Sequence, residues 1–174
     1  MFEVRDARPE DMDDLAEAHI AGWRVGYRGL VADAFLDGDF AEKRRTGWAE
    51  RGRRIAQGGP EEGLLVLISD GQVIGFAHVG EERTQDGTAT GHGELFGFYV
   101  HPARWGSGAA DVLMGAAQER LRQLGFTDVV LYVFRDNPRA RRFYEKAGWS
   151  FTGWEGSFDL EGQEIAEVQY RRTV

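Results

Sequence analysis

Phe98-Tyr99-Val100-His101-Pro102-Ala103-Arg104-Trp105-Gly106-Ser107-Gly108-Ala109-Ala110 is the stretch whose reading decides the fold. An apolar run leads into it and reads as a strand. After it, Val112, Leu113, Ala116, Ala117, Leu121 and Leu124 recur at helical spacing. The segment is therefore a strand, a tight glycine-containing turn, and a helix that begins inside the turn. A helix start leaves its first N–H groups without acceptors, and the aligned peptide dipoles make that end partly positive. With small residues at 106–110, an anion can come close to those N–H groups, a geometry suited to a phosphate or diphosphate. A plain strand-to-helix turn fits the same spacing. The Walker pattern does not, because its Gly-Lys-Ser/Thr ending is absent. The dinucleotide fingerprint needs three spaced glycines in an early strand-helix unit, whereas two glycines stand here, past the middle of the chain.

The 174 residues are expected to form a single domain, 1–174, large enough for a real core, with an ordinary 42% of hydrophobic residues. No apolar run is long enough to span a bilayer and the first residues lack a leader pattern, so a cytoplasmic protein without a membrane partner is expected. The absence of cysteine excludes disulfides, thiol nucleophiles and Cys-ligated zinc. The four histidines are scattered without ligand spacing, and no metal is expected. A net charge of -8 disfavours a nucleic-acid groove and is compatible with a cationic or amine substrate, although solubility explains the same charge.

Along the chain, residues 2–7 read as a first strand. Pro9 suits the first helical position, and acidic residues follow it. Met12, Leu15, Ala16, His19, Ile20, Trp23 and Tyr27 then form one apolar face, on which His19 is read as packing, and Gly22 and Gly26 weaken the end of that helix. After a break at 27–30, a second helix is expected over 39–57, stopped by Gly58-Gly59-Pro60. Leu64–Ser69 and Gln72–Gly80 read as strands joined by an Asp70-Gly71 turn. Residues 81–93, polar and Gly/Thr-rich, read as a loop. The strand 94–100, the glycine turn and a helix to about 124 follow, with Gly125 as its cap. Residues 128–134 read as a strand, and Asn137-Pro138 opens a short helix that ends at Gly148. The strands 149–160 and 164–172 are joined by Glu161-Gly162. The order β-α-α-β-β-β-α-β-α-β-β describes a mixed α/β sheet protein with seven strands and four helices.

Two blocks carry a family likeness. Val100-His101-Pro102 with Gly106-x-Gly108-x-Ala110, and Asn137-Pro138-x-Ala140-x-x-Phe143-Tyr144-Glu145-Lys146-x-Gly148-Trp149, resemble the GCN5-related N-acetyltransferase (GNAT) superfamily. The order of elements agrees over nearly the whole chain. The resemblance implies a mostly antiparallel sheet splayed between its fourth and fifth strands, and acyl transfer from acetyl-CoA to an amine. The pantetheine arm would pair with Phe98, Tyr99 and Val100. The diphosphate would sit on the loop Trp105-Gly106-Ser107-Gly108-Ala109-Ala110. Trp105 departs from the family pattern, which has Gln or Arg there, and Arg104 could partly substitute. Asn137 would meet the pantetheine arm or hold the loop. Arg104, Arg139 or Arg142 could face the phosphates, or could belong to a solvated face.

Such a reaction needs a base for the amine, a donor for the carbonyl oxygen and a proton for the departing thiolate. Tyr144 matches the family position for the last role. A phenol with a reference pKa near ~10 stays protonated at neutral pH and can donate to sulfur; packing beside Phe143 is the plainer alternative, but Phe could fill the same apolar space without a hydroxyl. Glu94 is the candidate base, acting through water, with His101 and His92 as weaker alternatives. A main-chain N–H near Val100 is the expected oxyanion donor. Trp23, Tyr27, Trp48, Trp154 and Phe158, with Glu155 and Asp159 nearby, are placed around the acceptor by the resemblance, although each aromatic also reads as core. The expected acceptor is the primary amine of a small molecule or amino acid. A protein lysine or N-terminus, and a non-catalytic acyl-CoA sensor, are the alternatives. The final strands offer an edge through which two copies could pair.

Overall fold

The computed structural model describes residues 1–58 and 63–174. Strand β1 (Phe2–Asp6) leads into a turn of 3-10 helix that starts at Pro9 and continues as α1 (Met12–Gly26). The short α2 (Asp33–Asp37), absent from the sequence expectation, fills the break before α3 (Phe40–Ala56). Gly58, at φ +79°, follows α3, while Gly59 and Pro60 of the expected stop lie outside the described residues. The order then runs β2 (Leu64–Ser69), β3 (Gln72–Arg83), β4 (Ala89–Val100), α4 (Ala109–Gln123), β5 (Asp128–Phe134), α5 (Pro138–Lys146), β6 (Ser150–Leu160) and β7 (Gln163–Thr173).

The expected loop over 81–93 is corrected to the ends of two strands. β3 runs on to Arg83 and β4 starts at Ala89, leaving only 84–88 as the turn. That turn is closed by Thr84 N–H donating to the Thr88 carbonyl at 2.9 Å. The strand ends escaped notice because their inward side chains are polar. Glu82, Thr90 and His92 satisfy one another where an apolar alternation would otherwise be read.

The seven strands form one sheet in the order β1-β2-β3-β4-β5-β7-β6. Every pair is antiparallel except β4–β5. This parallel pair is in register only at Gly93–Val129 and Glu94–Val130, after which β4 runs to Val100 and β5 to Phe134 without a ladder between them. The cause lies on the other side of β4. Its register with β3 jumps from Gly97–His78 to Leu95–Val79, so Phe96 is an extra residue and the strand bends there.

Helix α4 covers one face of the sheet with Ala109, Leu113, Ala117 and Leu121 against Leu95, Val129, Leu131 and Val168. Helices α1 and α3 cover the other face of β2 to β4, with Leu15, Ala16 and Trp48 against Leu64, Val66 and Phe76. β2 is thus buried on both sides, which is why its sequence, Leu-Leu-Val-Leu-Ile-Ser, is a continuous apolar run. His19 packs as expected: it is buried and accepts the Trp48 indole N–H at 3.0 Å. Burial, and then the charge of Arg44, hold it neutral with a pKa lowered to about 3.

At the vertex of the splay, a Cβ on Gly93 would stand 2.7 Å from Leu121, 2.8 Å from Val129 and 3.0 Å from Phe126, all parts of the packed core. Gly93→Val is therefore expected to cost about 1–3 kcal/mol by overpacking, read as a lower midpoint in urea unfolding. An unchanged midpoint would show that the vertex is looser than described.

Candidate active site

The splay opens a cleft of about 610 Å³, lined along one edge by β4 and the turn before α4 and along the other by β5 and the start of α5, with the end of α1 also lining it. It brings together Trp23, Tyr27, Phe98, Tyr99, Val100, Arg104, Trp105, Gly106, Gly108, Ala110, Asn137, Arg139 and Tyr144 from the residues singled out in sequence. Ser107 and Ala109 belong to the same turn without lining the cleft, and Ala109 is fully buried under it. Arg142 is exposed and Trp154 lies outside, edge-on to Tyr132 at 5.2 Å. Glu155, Asp159 and the predicted base Glu94 are not among the residues that line the cleft; the acids that line it are Asp111, by the turn before α4, and Glu167.

At one end of the cleft the turn before α4 takes the shape expected of an anion cradle. Gly106 and Gly108 adopt φ values of +77° and +86°, in the left-handed region that side-chain-bearing residues avoid. Among the described residues, the N–H groups of Gly106, Gly108, Ala109 and Ala110 have no hydrogen-bond acceptor. They open the fifteen-residue α4, so its dipole adds to their pull on an anion. Ser107 turns away, its hydroxyl donating to the Arg104 carbonyl at 2.6 Å. Trp105 donates its indole N–H to the Val100 carbonyl at 2.7 Å, tying the turn to the end of β4. Asn137 caps α5, its side chain accepting the Ala140 N–H at 3.1 Å, which holds the opposite wall.

In the middle of the cleft, three aromatic hydroxyl or indole groups form a chain. Trp23 donates to the Tyr99 hydroxyl at 3.0 Å, and Tyr99 shares a hydrogen bond with Tyr27 at 3.3 Å. Gly22 makes this packing feasible, since a Cβ there would stand 3.2 Å from the Tyr99 ring. Tyr144 sits among Phe98, Phe143 and Trp149, and its hydroxyl has no partner among the described residues. Burial, and then Tyr99, push its pKa up, so the phenol keeps its proton.

The far end is acidic. Glu94 stands at the last paired position before the splay, and burial, then Glu82, then Glu167 raise its pKa to about 7. Neither Glu94 nor Glu167 has a hydrogen bond or ion pair among the described residues, and burial also raises Glu167. Glu82 is different. Buried, it accepts from Thr90 and Tyr132 at 2.7 Å each and contacts His92 at 3.2 Å. Burial opposes its charge, but those bonds win and its pKa lies below the usual carboxylate value. Glu82, Tyr132 and Glu167 were not singled out in sequence. The usable signal was the alternation of Glu167 and Gln169 with Ala166, Val168 and Tyr170, which is faint without the register.

With this geometry in hand, comparison with known proteins is decisive. The family model described as "Acetyltransferase (GNAT) family" matches residues 18–149. The chain belongs to the GNAT acetyltransferase family. It is 29% identical over 170 residues to the uncharacterized N-acetyltransferase YuaI of Bacillus subtilis, covering 97% of this chain and 91% of YuaI. It is also 34% identical over 92 residues to the mycothiol acetyltransferase of Brachybacterium faecium, covering 53% of this chain and 27% of that one. Among solved structures, the paiA N-acetyltransferase of Thermoplasma acidophilum, in complex with coenzyme A, superposes with a TM-score of 0.73 at 20% identity, covering 100% of this chain and 99% of that one. The seven-stranded splayed sheet is thus the GNAT fold, and the chain is an acyltransferase of that family.

The raised pKa of Glu94 has a consequence for stability that is independent of turnover. The native state holds the proton between about pH 4.5 and about pH 7 while the unfolded chain does not, so the native state loses stability as pH rises through that window. Glu94→Gln is expected to be more stable than the unmodified protein at pH 8 by on the order of 2 kcal/mol, and equal to it at pH 4. Thermal unfolding at the two pH values measures this. A constant offset at both would contradict the burial of an ionisable group there.

Proposed function

We propose that the protein transfers an acetyl group from acetyl-CoA to the primary amine of a small molecule. The observation that carries this reading is the continuity of the cleft: open main-chain amides at one end, a protonated phenol in the middle and the unpaired Glu167 at the other, with Glu94 near it at the last paired position of the splay. When bound, acetyl-CoA would supply the acyl group as a thioester.

The protein's own residues then divide the work. The amides of Gly106, Gly108, Ala109 and Ala110 hold the diphosphate, with Arg139 and Arg104 as nearby cations. The edge of residues 95–100, lacking a strand partner toward β5, offers main-chain groups to the pantetheine arm and an N–H to the carbonyl oxygen. Glu94, directly or through water, takes the proton of the incoming ammonium. An acid with a pKa of about 7 is well matched to that transfer near neutral pH. Tyr144 gives its proton to the sulfur as the carbon–sulfur bond breaks. The surplus of acid at this end favours a cationic acceptor.

A small acceptor is favoured by the way the β6–β7 hairpin is pinned. Gln163 in the hairpin accepts from the Ala32 N–H at 3.0 Å and donates to the Leu30 carbonyl at 3.3 Å, and Glu161 pairs with Lys43 at 2.7 Å. Leu160 and Ile165 are buried with Ile20, Trp23 and Val31. The hairpin is thereby held in place, and its Phe158 lines the cleft together with Val25 of α1. An open groove for a polypeptide substrate would need the hairpin displaced. As part of the same reading, residues 1–174 form one domain.

The test is release of free thiol from acetyl-CoA across a panel of amines, amino acids and peptides. Turnover on a small amine is expected, with kcat/KM rising through about pH 7. Tyr144→Phe is expected to lower kcat by about 100-fold with CoA affinity unchanged. Glu94→Gln is expected to remove the acidic limb of the pH profile. Tight CoA binding with no turnover on any amine would contradict an enzymatic role for this cleft. Turnover confined to peptides would contradict the small-molecule acceptor.

A further inference from the structure

Arg139 is placed in a way that the fold alone does not require. Its guanidinium carbon lies over the Trp105 ring, 3.1 Å from the centroid. The two residues come from opposite walls of the cleft, Trp105 from the turn before α4 and Arg139 from the first turn of α5, and both line it. Trp105 is itself fixed, because its indole N–H is held by the Val100 carbonyl at 2.7 Å.

A guanidinium lying over an aromatic face leaves its N–H donors free for acceptors beyond the ring. Arg139 has no hydrogen bond or ion pair among the described residues, and burial alone, with no acid beside it, lowers its pKa. The other cleft arginine, Arg104, already pairs with Asp70 at 3.4 Å. In a chain of net charge -8, an arginine without a carboxylate, parked on an aromatic face beside a row of open amides, is a cation held for an anion.

We infer that Trp105 is the positioning residue for Arg139, and that the stacked guanidinium closes the cradle across the cleft as a ligand of the diphosphate of CoA. Trp105 stands where the family pattern has Gln or Arg, and in this chain an aromatic seat for a cation from the opposite wall takes over that polar contact. The inference rests on the acetyl-CoA reading above. It adds which cation serves the diphosphate and what holds it there. It also explains why Trp105 is directed by two contacts at once. The N–H bond sets the plane of the ring, and the plane of the ring sets the guanidinium.

Calorimetric titration of the full chain with CoA, dephospho-CoA and pantetheine tests it. Dephospho-CoA keeps the diphosphate and lacks the 3′-phosphate, whereas pantetheine lacks both. Arg139→Gln, an exposed change, is expected to weaken CoA and dephospho-CoA alike by about tenfold and to leave pantetheine unchanged. Trp105→Ala is expected to give a similar loss, and the double variant no more than the larger single loss, because both act through one guanidinium. Should Trp105→Ala unfold, Trp105→Leu in the same cycle serves, since it fills the space without offering an aromatic face. Equal loss for pantetheine, losses that multiply in the double variant, or unchanged CoA affinity in Arg139→Gln would each overturn the inference. Loss for CoA but not dephospho-CoA would overturn the diphosphate assignment. Failure of the unmodified protein to bind CoA would instead overturn the acetyl-CoA reading itself, and this inference with it.

Discussion

The structure depends on one interruption of a β-ladder. β4 and β5 are hydrogen-bonded at two register positions and then part, and every feature of the cleft follows from that parting. Backbone polar groups are costly to leave unpaired, so a sheet does not open in its middle without cause. Here the extra residue Phe96 bends β4 away from β5, and β5 is held in place by seven consecutive pairs with β7. The unpaired edge becomes a lane for an extended ligand with its own amide groups.

The two faces of the opened sheet are filled in opposite ways, and that sets the chemistry. The α4 side is closed by aliphatic packing, which fixes the helix start and hence the open amides. The α1 side carries the polar residues: Glu82, Glu94, Tyr132, Glu167 and Gln169 occupy the sheet where α1 and α3 no longer cover it. Glu82 is kept charged by its donors, and it lies close enough to push Glu94 toward its neutral form. Burial first, and then this charged neighbour, hold Glu94 toward its neutral form, a difference between two acids set by their surroundings.

Much of this was legible in the sequence, for reasons that differ by element. The helices announced themselves by period and by punctuation. Pro9 and Pro138 open helical turns, and Gly125 and Gly148 end them at φ +91° and +85°. The Asp70-Gly71 turn was readable because both residues take positive φ, as a two-residue hairpin of that type requires. The open turn at 106–110 was readable because it is made of backbone, and only small residues permit it. Of the acidic end, only Glu94 was. Its members come from β3, β4, β5 and β7, whose adjacency depends on a sheet order that local pattern does not contain. The polar strand ends read as loop because their partners are one another. Trp154 was placed by a likeness in position, yet a register shift between Phe151 and Glu155 on β6 accompanies its packing on Tyr132, outside the cleft.

The central claim, that the parted strand edge and the turn beyond it receive acetyl-CoA, is most directly tested by hydrogen–deuterium exchange with and without that ligand. The account predicts that added protection concentrates in residues 95–100 and 106–110, on the two sides of the cleft mouth. Protection elsewhere, with those two segments exchanging at the unliganded rate, would contradict it.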